Sequence, residues 1–183
     1  MKRAVFLDRD GVINRIVWHG GRPGSPWSTE EVEVLPRVAE AVEMLRSAGF
    51  LTIIVTNQPD VAVGLQRREV VEKINDQLRG LVRVDDIRVC YHGDQDGCAC
   101  RKPKPGMLLE AARAWSVALD HSFMVGDRWR DIGAGRAAGC TTILVGDGYG
   151  EPFAQEPDAV VESLFEASLL VLSNRAGISG ARP

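Results

Sequence analysis

Short runs of aliphatic and aromatic residues alternate along the chain with longer stretches in which apolar residues recur every three or four positions. The short runs predict strands at residues 4–8, 51–56, 87–91, 122–126 and 141–145, and a weaker strand at 159–161. These runs are rich in Val, Ile and Phe and lack regular polar alternation, so we expect a sheet that is buried on both faces.

The longer stretches predict helices at residues 36–48, 66–81, 106–115, 129–138 and 163–172. Pro36 suits the first turn of the first helix, and Gly49 suits its end. Alternating strands and helices predict an α/β fold with an open, mostly parallel Rossmann-like sheet and helices on both faces. We expect a single domain over residues 1–175 and a disordered tail at 176–183.

Composition narrows the possible partners. The 183 residues are 45% hydrophobic, which is enough for a substantial core. Lys and Arg total 22 against 25 Asp and Glu, a formal charge of −3, so we expect no nucleic-acid partner. No apolar run approaches the roughly 20 residues that span a bilayer, and the first residues do not resemble a secretion signal. We therefore expect a cytoplasmic monomer with no membrane partner.

Two acidic residues follow the first predicted strand. Asp8 and Asp10 point the same way in an extended segment, and two such close carboxylates need a cation or a proton between them. Mg²⁺ would meet that need, and one carboxylate would then serve as a nucleophile and the other as a general acid or base. Taken alone, the pair is equally typical of an acidic turn.

Three later segments make a phosphate site the favoured interpretation. Thr56, Asn57 and Gln58 end the second strand, and a basic stretch with Arg101 and Lys102 precedes a helix. A further segment, residues 126–131, follows the fourth strand and contains Asp127, Arg128 and Asp131. Each has an ordinary structural explanation. Because ligands bind at the carboxyl ends of parallel strands, their shared edge predicts one site.

These motifs resemble those of the haloacid dehalogenase (HAD) superfamily of phosphatases. The resemblance rests on Asp8-x-Asp10-Gly11-Val12, Thr56-Asn57-Gln58, Lys102-Pro103-x-Pro105 and Gly126-Asp127-x-x-x-Asp131, and it covers residues 2–172. The stretches at 8–11, 55–58 and 100–103 are similar to the D-glycero-D-manno-heptose 1,7-bisphosphate 7-phosphatase group, with histidinol-phosphate phosphatases as close relatives. The resemblance implies a HAD-type sheet without a large cap domain.

The resemblance also implies roles for the residues. Asp8 would attack phosphorus, and Asp10 would act as general acid and then base, which requires neighbours that raise the pKa of Asp10. Thr56 and Lys102 would complete the catalytic set. Mg²⁺ would be held by Asp8, the backbone carbonyl of Asp10 and Asp127, while Asp131 would orient Lys102 or a metal-bound water. The substrate-binding candidates are Asn57, Gln58, Arg101 and Arg128.

A cysteine cluster forms the second candidate site. Cys90, His92, Cys98 and Cys100 give the pattern Cys-x-His-x5-Cys-x-Cys, a complete tetrahedral donor set for Zn²⁺. The alternative is a loop of reduced cysteines. The heptose-phosphatase resemblance favours structural zinc, because protein ligands would fill all four positions.

The resemblance implies an enzyme that removes the 7-phosphate of heptose 1,7-bisphosphate, a phosphorylated sugar. The alternatives are a phosphatase of histidinol phosphate or another small metabolite, and a zinc-stabilised binding protein without activity. Asp60 and Val63 depart from the group, in which an arginine is common at the position of Val63. This departure concerns the substrate more than the chemistry.

Overall fold

The fold is described from a computed structural model, in which residues 1–173 are placed. The tail predicted at 176–183 lies outside the described residues. Six strands form one parallel sheet, and all six match predicted strands. They are β1 (Arg3–Leu7), β4 (Phe50–Asn57), β5 (Asp86–Cys90), β6 (Phe123–Gly126), β7 (Thr141–Val145) and β8 (Ala159–Val161), and two short strands, β2 (Val17–His19) and β3 (Arg22–Gly24), pair separately.

The order of the strands explains where a site can form. The sheet runs β5-β4-β1-β6-β7-β8, so the first strand of the chain lies near its centre. Leu7, the last residue of β1, is paired with Ile54 of β4 and Val125 of β6. The carboxyl ends of these three neighbouring strands therefore meet at one edge, where the predicted catalytic segments begin.

Within residues 1–173, five α-helices cover the two faces of the sheet. They are α1 (Val38–Ser47), α2 (Arg68–Val82), α3 (Gly106–Trp115), α4 (Trp129–Ala138) and α5 (Leu164–Ser173). Side chains of α1, α2 and α5 share a buried cluster with Val5 and Leu7, whereas those of α3 and α4 pack with Ala4 and Phe6. Alternate residues of β1 thus fill two cores. No helix within residues 1–173 is long and apolar enough to cross a bilayer.

Two local features differ from the sequence prediction. The long loop at residues 14–28 contains the β2–β3 hairpin, whose turn is Gly20 and Gly21, both with positive φ. The first helix begins at Val38 rather than at Pro36, because Arg37 has a left-handed backbone (φ 60°) and serves as its N-cap. Neither difference changes the sheet.

Candidate active site

A cavity of about 170 Å³ lies at the shared edge of β4, β1 and β6. Its walls include most of the predicted site residues, namely Asp8, Asp10, Thr56, Asn57, Arg101, Lys102, Asp127 and Arg128. Asp131, Arg130, Asp60 and Tyr149 also line it. The four predicted segments, which are far apart in sequence, therefore converge on one space, and Tyr149 joins them.

Asp8 stands directly after β1, and its backbone N–H donates to the carbonyl of Val125 on β6. The backbone N–H of Arg9 (2.7 Å) and the ammonium of Lys102 (2.8 Å) both bind Asp8 Oδ1. Neither group binds Oδ2, so that oxygen is the one suited to attack an electrophile in the cavity.

Lys102 is almost completely buried among acceptors. Its Nζ lies 2.8 Å from Asp8 Oδ1, 2.6 Å from Asp131 Oδ1 and 2.8 Å from the carbonyl oxygen of Val55. Burial alone would lower the pKa of Lys102, but the carboxylates of Asp131 and Asp8 raise it above its ordinary value. The side chain is therefore a fixed positive charge, and the expectation that Asp131 orients it agrees with this geometry.

Three carboxylates crowd together beside this lysine. One oxygen each of Asp8, Asp127 and Asp131 lies within 4.8 Å of the others. Burial, reinforced by the neighbouring acids, raises the pKa of Asp8 to about 7 and that of Asp127 to about 8. Asp127 Oδ1 is buried and has no hydrogen-bond partner within residues 1–173. This donor set, with too much negative charge and an unsatisfied oxygen, fits Mg²⁺.

Gly11 makes the close approach of two strand ends possible. Its φ is +87°, in the left-handed region that glycine adopts readily, as expected for a sharp turn after β1. A Cβ at this position would lie 1.9 Å from Asp127 Oδ2. Any side chain there would displace the Asp127 carboxylate.

Asp10 is surrounded by hydrogen-bond donors. It accepts from Arg9, Asn14 (2.9 Å), Ser25 (2.8 Å) and Gln58 (3.0 Å). Burial alone would raise the pKa of Asp10, but the charge of Arg9 and the hydrogen bonds hold it below its ordinary value. The expectation that the neighbours raise this pKa is wrong for the free protein, because four donors stabilise the ionised form.

Arg9 is a functional residue that sequence reasoning missed. Its side chain is fully buried, donates to Asp10 and also donates to Asn75 Oδ1 of α2 at 2.9 Å. Strand alternation would have pointed it away from both acids. The Arg9 side chain can instead point towards Asp10, because regular strand structure stops at Leu7.

The residues at the end of β4 also connect parts of the site by hydrogen bonds. Gln58 Nε2 donates to Asp10 Oδ2 and to Thr56 Oγ1 (2.9 Å). Gln58 is only 2% exposed, so it lies behind Asp10 and Thr56 rather than on the cavity wall. Asn57 Nδ2 donates to the carbonyl of Lys102, whose N–H donates to Asn57 Oδ1, both at 3.1 Å. Asn57 therefore fixes the backbone that presents Lys102.

Three arginines bring positive charge to the outer part of the cavity. Arg101 Nε donates to Asp94 Oδ1 at 2.7 Å, and Arg128 forms an ion pair with Glu151. Arg130, which the sequence did not single out, also lines the wall, and its guanidinium lies over the ring of Trp129. Together they provide donors for anionic groups beyond the reacting phosphate.

The loop that contains the β2–β3 hairpin lies beside the cavity. The rings of His19 and Trp27 are stacked with centroids 3.7 Å apart, and Trp27 Nε1 donates to Asp60 Oδ2 at 3.1 Å. Asp60 follows β4, so this hydrogen bond joins the 14–28 loop to the segment after β4. Asp60 lines the cavity, whereas Val63 is 66% exposed.

The cysteine cluster has the dimensions of a metal site. The three sulfur–sulfur distances among Cys90, Cys98 and Cys100 are 3.2–3.7 Å, and His92 Nδ1 lies 3.6 Å from Cys90 Sγ and 3.3 Å from Cys100 Sγ. Zn–S bonds of about 2.3 Å in a tetrahedron give sulfur–sulfur edges of about 3.8 Å. The cysteines are free thiols, so these four side chains fit Zn²⁺.

The fold and the site define the class of protein. Paired carboxylates after a central strand, a threonine after its neighbour, a buried lysine and a second acidic pair are the arrangement of a HAD-superfamily phosphatase, a phosphomonoester hydrolase. The HAD-hydrolase-like family matches residues 99–167. The expected open parallel sheet is confirmed.

Comparison with individual proteins gives the family. D-glycero-beta-D-manno-heptose-1,7-bisphosphate 7-phosphatase of Bordetella bronchiseptica is 38% identical over 153 residues, covering 81% of this chain and 83% of that protein. The Pasteurella multocida enzyme of the same name is 33% identical over 93% of this chain and 97% of its own. This chain belongs to the D-glycero-beta-D-manno-heptose-1,7-bisphosphate 7-phosphatase family.

A solved structure of an enzyme with this activity has the same fold. The crystal structure of D,D-heptose 1,7-bisphosphate phosphatase from B. bronchiseptica, complexed with magnesium and phosphate, superposes with a TM-score of 0.80 and 34% identity. The superposition covers 94% of this chain and 99% of that chain.

Proposed function

We propose that the protein removes the 7-phosphate of D-glycero-D-manno-heptose 1,7-bisphosphate in a Mg²⁺-dependent reaction that passes through an aspartyl-phosphate on Asp8. One observation carries the proposal: the buried Lys102 ammonium joins Asp8 to Asp131, beside an Asp127 oxygen that has no hydrogen-bond partner in the described part of the chain. Such a cluster offers a nucleophile, fixed positive charge and a cation site within one cavity. The relatives' substrate supports the choice of sugar.

In the first half-reaction, Asp8 Oδ2 attacks phosphorus and forms an oxygen–phosphorus bond. The bond between phosphorus and the sugar oxygen breaks, and Asp10 gives its proton to that oxygen, so the sugar leaves as an alcohol. Lys102 keeps Asp8 Oδ1 in place, which leaves Oδ2 directed at the substrate. This orientation supplies part of the rate through positioning.

In the second half-reaction, water attacks the phosphorus of the aspartyl-phosphate. Asp10, now ionised, takes a proton from the water, the bond to Asp8 breaks, and inorganic phosphate leaves. The lowered pKa of Asp10 suits this base role. The acid role requires a proton on Asp10, and a bound phosphate dianion beside it would raise its pKa, because like charges disfavour ionisation.

Charge on the transferring phosphoryl group needs several partners. Lys102 and the hydroxyl of Thr56 are suited to its oxygens. Asp8, Asp127 and the backbone carbonyl of Asp10 would hold Mg²⁺, which when bound supplies positive charge that stabilises the phosphoryl oxygens.

Zinc would fix the position of the segment that carries Lys102 and would take no part in the reaction itself. Cys100 directly precedes Arg101 and Lys102 in the chain. A metal bound to Cys90, His92, Cys98 and Cys100 would therefore fix the start of the segment that carries the catalytic lysine. Since protein ligands occupy all four positions, no water can be activated there.

The sugar would extend towards the outer arginines. Arg101 and Arg128 are the candidates for the second phosphate. A second candidate substrate is histidinol phosphate, because the Asp60 carboxylate on the cavity wall suits a cationic amino group better than a phosphate.

The test is phosphate release in the presence of Mg²⁺. Wild-type protein is assayed on both anomers of heptose 1,7-bisphosphate, on histidinol phosphate and on other sugar phosphates. We expect the highest kcat/KM with a heptose 1,7-bisphosphate, and we expect Asp8→Asn to lose on the order of a thousandfold or more. Asp76→Asn, at an exposed acid on α2, is the matched control.

The outcomes are separable. Turnover that survives in Asp8→Asn would reject the covalent route. A preference for histidinol phosphate would keep the chemistry and change the substrate.

A further inference from the structure

The segment between β7 and β8 reaches back to the residues that follow β6. Tyr149 Oη donates to Asp127 Oδ2 at 2.7 Å, and Glu151 pairs with Arg128. Two residues of this segment, Tyr149 and Glu151, therefore bind two consecutive residues of the site, Asp127 and Arg128. None of residues 147–151 belongs to the motifs that the sequence analysis used.

The position of Tyr149 is set by its backbone. Its φ is +58° and its ψ is 27°, a left-handed conformation that is uncommon for a residue with a side chain. The side chain of Asp147 stabilises the turn by accepting from the backbone N–H of Tyr149 at 2.9 Å. The guanidinium of Arg128 lies 5.2 Å from the centre of the Tyr149 ring. The Tyr149 hydroxyl thus binds Asp127 while Asp147 holds the backbone of Tyr149 and Arg128 lies near its ring.

This contact makes the two oxygens of Asp127 unequal. Oδ2 accepts the Tyr149 hydroxyl, while Oδ1 is buried and has no hydrogen-bond partner within residues 1–173. The hydroxyl fixes the rotation of the carboxylate, and Gly11 leaves the space in which that carboxylate sits. Asp127 belongs to the carboxylate cluster that includes Asp8.

We propose that Tyr149 is a positioning residue for the magnesium ligand Asp127: its hydroxyl holds Oδ2 so that Oδ1 faces the cation. The inference rests on the proposed function, since it assumes that Mg²⁺ binds in this cluster. Tyr149 acts through Asp127 and is not itself a ligand. Groups that hydrogen-bond to metal ligands in this way contribute roughly tenfold to a hundredfold to metal affinity.

The test is a calorimetric titration of Mg²⁺ into protein without substrate. Tyr149→Phe removes only the hydroxyl, and we expect it to raise the Kd for Mg²⁺ roughly tenfold or more. At saturating Mg²⁺ its kcat should return towards the wild-type value. A residue that served only stability would change the unfolding midpoint without moving this Kd.

The chain contains a matched control. Its only other tyrosine is Tyr91, whose hydroxyl donates to Glu72 and does not line the cavity. Tyr91→Phe should bind Mg²⁺ with the wild-type Kd. Equal Kd values for Tyr149→Phe and wild type would overturn the inference.

A second measurement covers the case in which Tyr149→Phe does not fold. Wild-type protein is labelled with carbon-13 at the tyrosine Cζ, and Tyr91→Phe assigns the two resonances. Mg²⁺ should shift the Tyr149 resonance, because the cation withdraws charge from the carboxylate that the hydroxyl binds. A Tyr149 resonance that does not respond while Mg²⁺ binds would overturn the inference.

Failure of the inference and failure of the proposed function look different. If wild-type protein binds no Mg²⁺ and releases no phosphate, the proposed function fails. If wild type binds Mg²⁺ and turns over, but Tyr149→Phe does so with the same Kd, only the inference fails.

Discussion

Lys102 Nζ lies 2.8 Å from Asp8 and 2.6 Å from Asp131, so one buried ammonium contacts both carboxylates at once. Asp127 is the third acid of the cluster, and its Oδ1 has no hydrogen-bond partner among residues 1–173. One lysine cannot neutralise three ionised acids. Burial, together with this excess of negative charge, explains the raised pKa values of Asp8 and Asp127. The excess of negative charge also suits the cluster to a divalent cation.

Lys102→Met should be strongly destabilising at alkaline pH. Removing one partner of a buried ion pair costs about 3–5 kcal/mol, because the remaining charge is left uncompensated. The loss should shrink at mildly acidic pH, where Asp8 takes up a proton. Urea unfolding of wild type and Lys102→Met at alkaline and at mildly acidic pH measures this loss of stability. Lys104→Met is the control: this exposed lysine donates only to the carbonyls of Gly97 and Cys98, so we expect a change within about 1 kcal/mol.

The stability of the Mg²⁺-free protein should fall as the pH rises from about 5 to about 8. The pKa of Asp8 is raised from 3.8 to about 7 and that of Asp127 to about 8, so the folded protein keeps protons that the unfolded chain has lost. Stability therefore decreases with pH in this window. Urea midpoints across the range, with and without Mg²⁺, provide the measurement.

Two comparisons check the origin of this slope. Mg²⁺ should flatten it, because the cation replaces the protons, and Asp8→Asn should reduce it without metal. A slope that is the same in wild type and Asp8→Asn would assign the effect to other groups.

Asp10→Asn should slow hydrolysis of a sugar phosphate by about 10²–10⁴-fold. The loss in the first step should be far smaller for an aryl phosphate whose phenol leaves without protonation, because that step needs no acid. Rapid mixing, with separate measurement of phosphoryl-enzyme formation and decay, checks this. Equal losses in the first step for both substrates would contradict the acid role.

Freshly purified protein should contain about one zinc per chain. Cys98→Ser should lose most of the metal and much of the activity, since the loop that presents Lys102 would no longer be fixed. Cys140→Ala is the control, because this buried cysteine does not belong to the candidate zinc site. Elemental analysis measures the metal. Full zinc occupancy in Cys98→Ser would rule out its role as a ligand.

Much of the sheet and the reacting edge follow from local pattern. The aliphatic runs before Asp8, Thr56 and Asp127 mark three strands, and parallel strands bring their carboxyl ends together. The basic segment lies between the predicted strand at 87–91 and the next predicted helix, so the same rule places it at this edge. These residues were predictable because each is adjacent to a strand that the pattern defines.

The environment of Asp10 was not predictable from local pattern. Its pKa depends on Arg9, which turns back from the expected side, and on Ser25, which the hairpin brings from a distant loop. Gly20 and Gly21 were the available signal, since a Gly-Gly pair between short strands is typical of a hairpin turn. Tyr149 gave no such signal, because its contact with Asp127 spans 22 residues and depends on an unusual backbone.

The pairing of β1 between β4 and β6 has a consequence for engineering and for natural variation. Leu7 lies opposite Ile54 and Val125, and the next residue is Asp8, the proposed nucleophile. Because alternate side chains of β1 fill two different cores, one inserted residue within β1 would either move its leucine and valine into the opposite core or rotate Asp8 away from Lys102. We therefore expect this strand to accept exchanges among similar aliphatic residues but to reject single-residue insertions and deletions. The apolar side chains of β1 therefore set the direction of the Asp8 side chain as well as filling the core.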